Sequence, residues 1–166
     1  MTEAAFIAIG SNIDPEQNLP AAVARLSEFG EVVAVSIVYQ TPAIGPSPAP
    51  DYLNAAALVR TELEPLPLRE RLRRIEADLG RVRTSDRYAP RTIDLDLCLY
   101  GSLVLATPEL TLPDPGILER AYLAVCLAEL DPEFVHPATN RTLEQIAERL
   151  RTSAVLRPRT ELELPR

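Results

Sequence analysis

A chain of 166 residues, 46% of them hydrophobic, is long enough to bury one core and has the usual size of one domain. Its net charge of −7 disfavours a nucleic-acid partner, and all 17 of its basic residues are arginine, which excludes a P-loop lysine and a Schiff base. The start lacks the basic and apolar regions of a signal peptide, and no apolar run reaches the roughly 20 residues needed to span a bilayer, so a cytoplasmic protein without membrane association is expected.

Residues 4–9, Ala-Phe-Ile-Ala-Ile-Gly, predict a buried strand ended by Gly10-Ser11-Asn12. Asp14 is placed to cap a helix from Pro15 to Phe29, closed by Gly30, with Leu19, Ala22, Val23, Leu26 and Phe29 at helical spacing. The Val- and Ile-rich run 31–40 predicts a second strand, followed by a loop through Pro50 with four prolines and one glycine in nine residues. Residues 51–63 predict a third strand. A helix over 66–79 follows, striped by Leu68, Leu72, Ile75 and Leu79 and capped by Gly80.

After a polar loop, residues 92–100 alternate, putting Ile93, Leu95, Leu97 and Leu99 on one face and Asp94 and Asp96 on the other. The order β-α-β-β-α-β predicts an α+β, ferredoxin-like core. A Leu-Val-Leu strand and helices near 117–129 and 143–151 follow, the two helices covering the sheet's other side in a three-layer arrangement. One domain over 1–152 and a tail over 153–166 are expected. Cys98 and Cys126 read as buried free thiols, and His136 reads as an exposed loop residue unsuited to catalysis.

Asp94 and Asp96 project together, about 6.5 to 7 Å apart. Side-by-side carboxylates repel unless cations or arginines compensate, and Mg²⁺ with phosphate oxygens is one such compensation. Residues 69–91 hold eight arginines. Arg69, Arg71, Arg73 and Arg74 are expected to pair with Glu70, Glu76 and Asp78 along a solvated helix face. Arg81, Arg83, Arg87 and Arg91 lie in a loop of turn formers with little opposite charge, where guanidinium forks suit a polyphosphate. Tyr52 and Asn54 share one face of their strand, and with Tyr122 they suit a flat heterocycle.

The run Gly80-Arg81-Val82-Arg83-Thr84-Ser85-Asp86-Arg87-Tyr88-Ala89-Pro90-Arg91-Thr92-Ile93-Asp94-Leu95-Asp96 closely resembles the signature of the 6-hydroxymethyl-7,8-dihydropterin pyrophosphokinase family. Three further blocks agree in order: Ala8-Ile9-Gly10-Ser11-Asn12, Tyr39-Gln40-Thr41-Pro42 through Gly45-Pro46, and Asp51 to Ala56. The resemblance covers residues 4 to about 150. It implies a ferredoxin-like core and an ATP-dependent pyrophosphorylation of the pterin hydroxymethyl group, yielding AMP, in folate synthesis.

By position, the resemblance makes Asp94 and Asp96 ligands of two Mg²⁺ ions and gives Arg81 and Arg91 the transferring group. Thr41, Pro42, Ile44, Tyr52, Asn54 and Tyr122 would bind the pterin. Arg73, Glu76, Arg83, Tyr88, Leu97, Thr111, Asp114 and Arg120 would serve ATP. A monomer acting only on these small molecules is expected. Asp114 stands where the family commonly has histidine, so it turns away, joins a cation, or weakens nucleotide binding. Two alternatives stay open: a pterin- or nucleotide-binding relative that has lost turnover through Asp114 and the altered arginine loop, and a pyrophosphokinase for a modified pterin, whose acceptor choice the loop over 43–50 could tune.

Overall fold

In the computed structural model, which describes residues 1–166, one six-stranded sheet lies between two helical layers. The chain runs β1 (Glu3–Ser11), α1 (Pro15–Leu26), β2 (Glu31–Val35), β3 (Tyr39–Thr41), β4 (Tyr52–Thr61), α2 (Pro65–Asp78) and β5 (Asp94–Tyr100). It continues through a small hairpin of β6 (Leu105–Ala106) and β7 (Thr111–Leu112), a 3₁₀ turn (Pro115–Leu118), α3 (Ala121–Leu130), α4 (Leu143–Arg151) and β8 (Arg157–Pro158). The order β5-β1-β4-β3-β8, with β2 also on β4, is antiparallel and ferredoxin-like. Helices α1 and α2 cover one face with the larger core cluster, and α3 and α4 cover the other with the second. The α+β, three-layer expectation is met. No helix is long and apolar enough to cross a membrane.

Several element boundaries differ from expectation. Asp14 occupies the cap position of α1 in a left-handed conformation, φ 44°, and its side chain caps nothing. Pro15 disfavours the right-handed helical region for the residue before it, and aspartate tolerates the left-handed one. The helix also stops at Leu26, because Glu28 and Phe29 donate to carbonyls three residues back and tighten the chain out of register. The expected strand 31–40 is broken at buried Ser36, whose Oγ accepts from Ala56 N at 2.9 Å and donates to Ile37 O, replacing ladder bonds.

On β5 the alternation fails after Leu97. Phe6 pairs Leu99 while Ile7 pairs Leu97, so Cys98 is a bulge and Leu99 turns with it toward the α3 and α4 layer. The expected helix over 117–129 splits into the 3₁₀ turn and α3, whereas α4 keeps the expected bounds. Residues 153–166 contribute β8 and lay Leu162 and Leu164 against the larger core cluster.

Both cysteines are buried and free, as expected. His136 is buried rather than exposed, because its Nδ1 accepts from the Ala138 and Thr139 amides at 3.2 Å. Burial first, and then Arg141, lower its pKa from 6.5. The unfolded chain therefore takes up this proton first, and the His136 contribution to stability is lost as pH falls below 6.5. NMR titration should place the imidazole below 6.5, and a midpoint at or above that value contradicts its buried, neutral state.

Candidate active site

The face of the sheet toward α3 carries small residues in its centre, Ala8 and Gly10 on β1, flanked by Asn54 on β4 and by Asp94 and Asp96 on β5. A Cβ at Gly10 would lie 3.3 Å from Asn54 Oδ1, so glycine keeps the floor open there. The expected Asp94 and Asp96 pair thus sits on one face, facing the site.

Helix α2 ends in a Schellman motif in which Gly80, at φ 88°, donates to Ala77 O and Arg81 N donates to Glu76 O, each at 3.0 Å. That turn carries Arg81 back onto Glu76. The Arg81 guanidinium, almost fully buried, donates to Glu76 Oε2 at 2.6 Å and to Asp94 Oδ1 at 2.9 Å. Burial opposes its charge, but Asp94 and Glu76 outweigh that and raise its pKa. Arg83 donates to Glu76 Oε1 at 2.6 Å, and Arg91 donates to Asp94 Oδ2 at 2.8 Å.

These contacts correct the expected charge pairing. Glu76 turns inward rather than along the helix face, also accepting from Leu95 N at 2.9 Å. Asp78 reaches Arg25 at 3.0 Å, and of the expected helix-face pairs the structure forms Arg69 with Glu70 at 3.6 Å. The loop arginines Arg81, Arg83 and Arg91, expected to have little opposite charge, instead have close carboxylate partners. Arg73 is exposed beside Arg69 and Arg83, and partial burial followed by those like charges lowers its pKa. An anion would relieve that strain.

No arginine reaches Asp96 within ion-pair distance. Its surface is open to water, yet the cleft walls desolvate it, and the charges of Asp94, Asp114 and Glu76 add to this, raising its carboxyl to about 7. Asp114 caps the 3₁₀ turn, its Oδ1 accepting from Gly116 N at 2.8 Å, and its backbone N donates to Cys98 O at 2.9 Å. It turns partly away through this cap while still lining the cleft. No group of three or more His, Cys, Asp or Glu side chains is gathered to hold an ion.

Two cavities meet here. A basic one of about 460 Å³ is lined by Arg69, Arg73, Arg81, Arg83, Arg91, Asp94, Asp96, Leu97, Thr111 and Asp114, among others. An aromatic one of about 260 Å³ is lined by Thr41, Pro42, Ile44, Tyr52, Asn54, Arg87, Tyr88, Arg91, Asp94, Asp96, Arg120 and Tyr122, with Ala8, Ile9 and Gly10 as floor. Arg91, Asp94 and Asp96 line both.

All six residues expected at the pterin line the aromatic cavity. Of those expected at ATP, Arg73, Arg83, Leu97, Thr111 and Asp114 line the basic cavity, Tyr88 and Arg120 line the aromatic one, and Glu76 lines neither. Sequence reasoning gave Gly10 no place in the site, and it put Arg87 with the loop arginines suited to a polyphosphate, whereas Arg87 lines the aromatic cavity. The loop over 42–50 also meets the arginine loop, since a Cβ at Gly45 would lie 3.0 Å from Tyr88.

The 2-amino-4-hydroxy-6-hydroxymethyldihydropteridine pyrophosphokinase of Synechocystis sp. is 38% identical over 163 residues, covering 96% of this chain and 83% of that one. The protein of the same name from Haemophilus influenzae is 40% identical over 136 residues, covering 80% and 84%. A crystal structure of wild-type Plasmodium falciparum HPPK-DHPS with pteroate superposes with a TM-score of 0.70 at 13% identity over 90% of this chain and 44% of that longer one, a likeness of fold. A profile of 7,8-dihydro-6-hydroxymethylpterin-pyrophosphokinase matches residues 6–132. On the strength of that match and of these relatives, the chain belongs to the 7,8-dihydro-6-hydroxymethylpterin-pyrophosphokinase family.

Proposed function

We propose that this chain transfers the pyrophosphoryl group of ATP to 6-hydroxymethyl-7,8-dihydropterin, giving the pterin diphosphate and AMP in folate biosynthesis. The observation that carries this reading is the wall of Arg91, Asp94 and Asp96 shared by a basic cavity and an aromatic one. The basic cavity suits a polyphosphate, and Tyr52, Tyr122 and Asn54 suit the faces and edge of a pterin. Across the shared wall the acceptor's hydroxymethyl oxygen attacks the β-phosphorus and gives up its proton to solvent, the bond to the α,β-bridging oxygen breaks, and AMP leaves with that oxygen.

Asp94 and Asp96 fit Mg²⁺. Asp96 has no cationic partner, and desolvation followed by its carboxylate neighbours raises its pKa, a shift that a divalent cation would reverse. Two carboxylates with phosphate oxygens and water form the usual Mg²⁺ donor set. The pair would hold two ions, which when bound supply charge neutralisation on the phosphates. Arg81 fixes Asp94 from behind, and Arg83 and Arg73 bind phosphate charge. Thr111 and Leu97 line the nucleotide's side, and Tyr88 and Arg120 close the acceptor's side. The cap formed by Asp114 partly satisfies its charge, which favours a working nucleotide site over a binding relative without turnover. We read the protein as a cytoplasmic monomer without a nucleic-acid partner, in keeping with its net charge of −7.

Incubation with ATP, Mg²⁺ and the reduced pterin, followed by chromatography, should yield AMP; ADP as product would overturn the reading. Arg91→Ala should lower kcat about 100-fold with little change in the Kd for ATP, as expected when contacts strengthen in the transition state. Steady-state kinetics and calorimetry check this, and a loss confined to ATP binding contradicts it.

A further inference from the structure

We infer that the C-terminal segment positions the acceptor pocket, through a relay from Arg159 to Gln40 to Asp51. Strand β3 has three residues, and Thr41 at its end opens the pocket wall that continues through Pro42 and Ile44. So short a strand frays when paired on one side only. On β3's outer edge, β8 pairs Pro158 with Tyr39 and Arg157 with Gln40, and Arg159 N donates to Val38 O at 2.8 Å.

The side chains extend the clamp. Arg159 Nη1 donates to Gln40 Oε1 at 3.1 Å, and Gln40 Nε2 donates to Asp51 Oδ2 at 2.8 Å. Gln40 immediately precedes Thr41, and Asp51 immediately precedes Tyr52, so this relay ties together both ends of the loop over 42–50. One amide orientation satisfies both partners, its oxygen toward the cation and its nitrogen toward the carboxylate. Arg159 is itself braced by Glu161 and by Glu16 on α1, and Leu162 and Leu164 anchor the segment to the core. Gln40, Asp51 and Arg159 line neither the basic nor the aromatic cavity, so they act as positioning residues.

This role rests on the aromatic cavity being the acceptor pocket. The test compares Arg159→Ala, Gln40→Ala and Gln40→Glu with the unsubstituted chain. Glutamate at position 40 keeps the pair with Arg159 but loses the donor to Asp51. The three variants should each raise the KM for the pterin about five-fold, with kcat and the KM for ATP within about two-fold, the scale of one hydrogen bond. Amide hydrogen exchange over residues 42–50 should accelerate in all three, a readout that needs no turnover. Wild-type kinetics in Gln40→Glu, or equal rises in both KM values, overturn the relay. Unchanged exchange in all three overturns it as well. Absence of pterin turnover in the wild type, with exchange still accelerated in the variants, sinks the proposed function and leaves the clamp standing.

Discussion

Replacing Asp96 with asparagine should reduce turnover about 1,000-fold or more, since in the proposed function it removes a charge that would hold Mg²⁺ at the transferring group. The same change should stabilise the free protein at alkaline pH. The Asp96 carboxyl is raised from 3.8 to about 7 by desolvation, Asp94, Asp114 and Glu76. The native state therefore holds its proton where the unfolded chain has lost it, and stability falls as pH rises between about 4 and 7. Asparagine removes that penalty. At pH 8 the gain should be about 1 kcal/mol after discounting for solvent screening, or roughly 3 °C in Tm. At pH 4 the two proteins should melt together. Calorimetry at both values checks this, and an unfolded or uniformly destabilised variant would make the carboxylate a structural element.

Removal of Glu76 should act in the opposite sense. Its carboxylate holds Arg81 and Arg83 at 2.6 Å and the Leu95 amide at 2.9 Å, with 2% of its surface exposed. Alanine there leaves the guanidinium of Arg81 with Asp94 as its remaining carboxylate partner and strands a buried amide, costing about 3 kcal/mol. For a chain of this length that is a fall in Tm of about 9 °C. Turnover should fall even where the variant is folded, because Arg81 loses the carboxylate that fixes it against Asp94. Glutamine preserves the acceptor for Leu95 N and should recover part of the stability but little of the activity. A variant with wild-type melting would show that Arg81 is held by Asp94 alone.

The helices and strands that frame the site were legible because their patterns are local: the stripe of α2, the glycine at its end and the alternation of β5 up to Leu97. What escaped depended on contacts across the sheet. The bulge at Cys98 arises from register against Phe6 and Ile7, and the break at Ser36 from a hydroxyl that replaces ladder bonds with Ala56. The expected face of Asp94 and Asp96 survives because the bulge falls after them. Partners of charges were the least legible part. Spacing along α2 put Glu76 on a solvated face, whereas the turn at Gly80 brings Arg81 and Arg83 back to it and takes it inside. His136 likewise read as exposed, because nothing in its neighbours announces two amides converging on Nδ1.

Pyrophosphoryl transfer requires attack at the β-phosphorus of ATP, and isotopic labelling tests this most directly. With ¹⁸O in the bridge between the α- and β-phosphates, the label should leave in AMP while the β- and γ-phosphates arrive on the pterin intact. Label recovered in free pyrophosphate, or ADP as the product, would contradict the account.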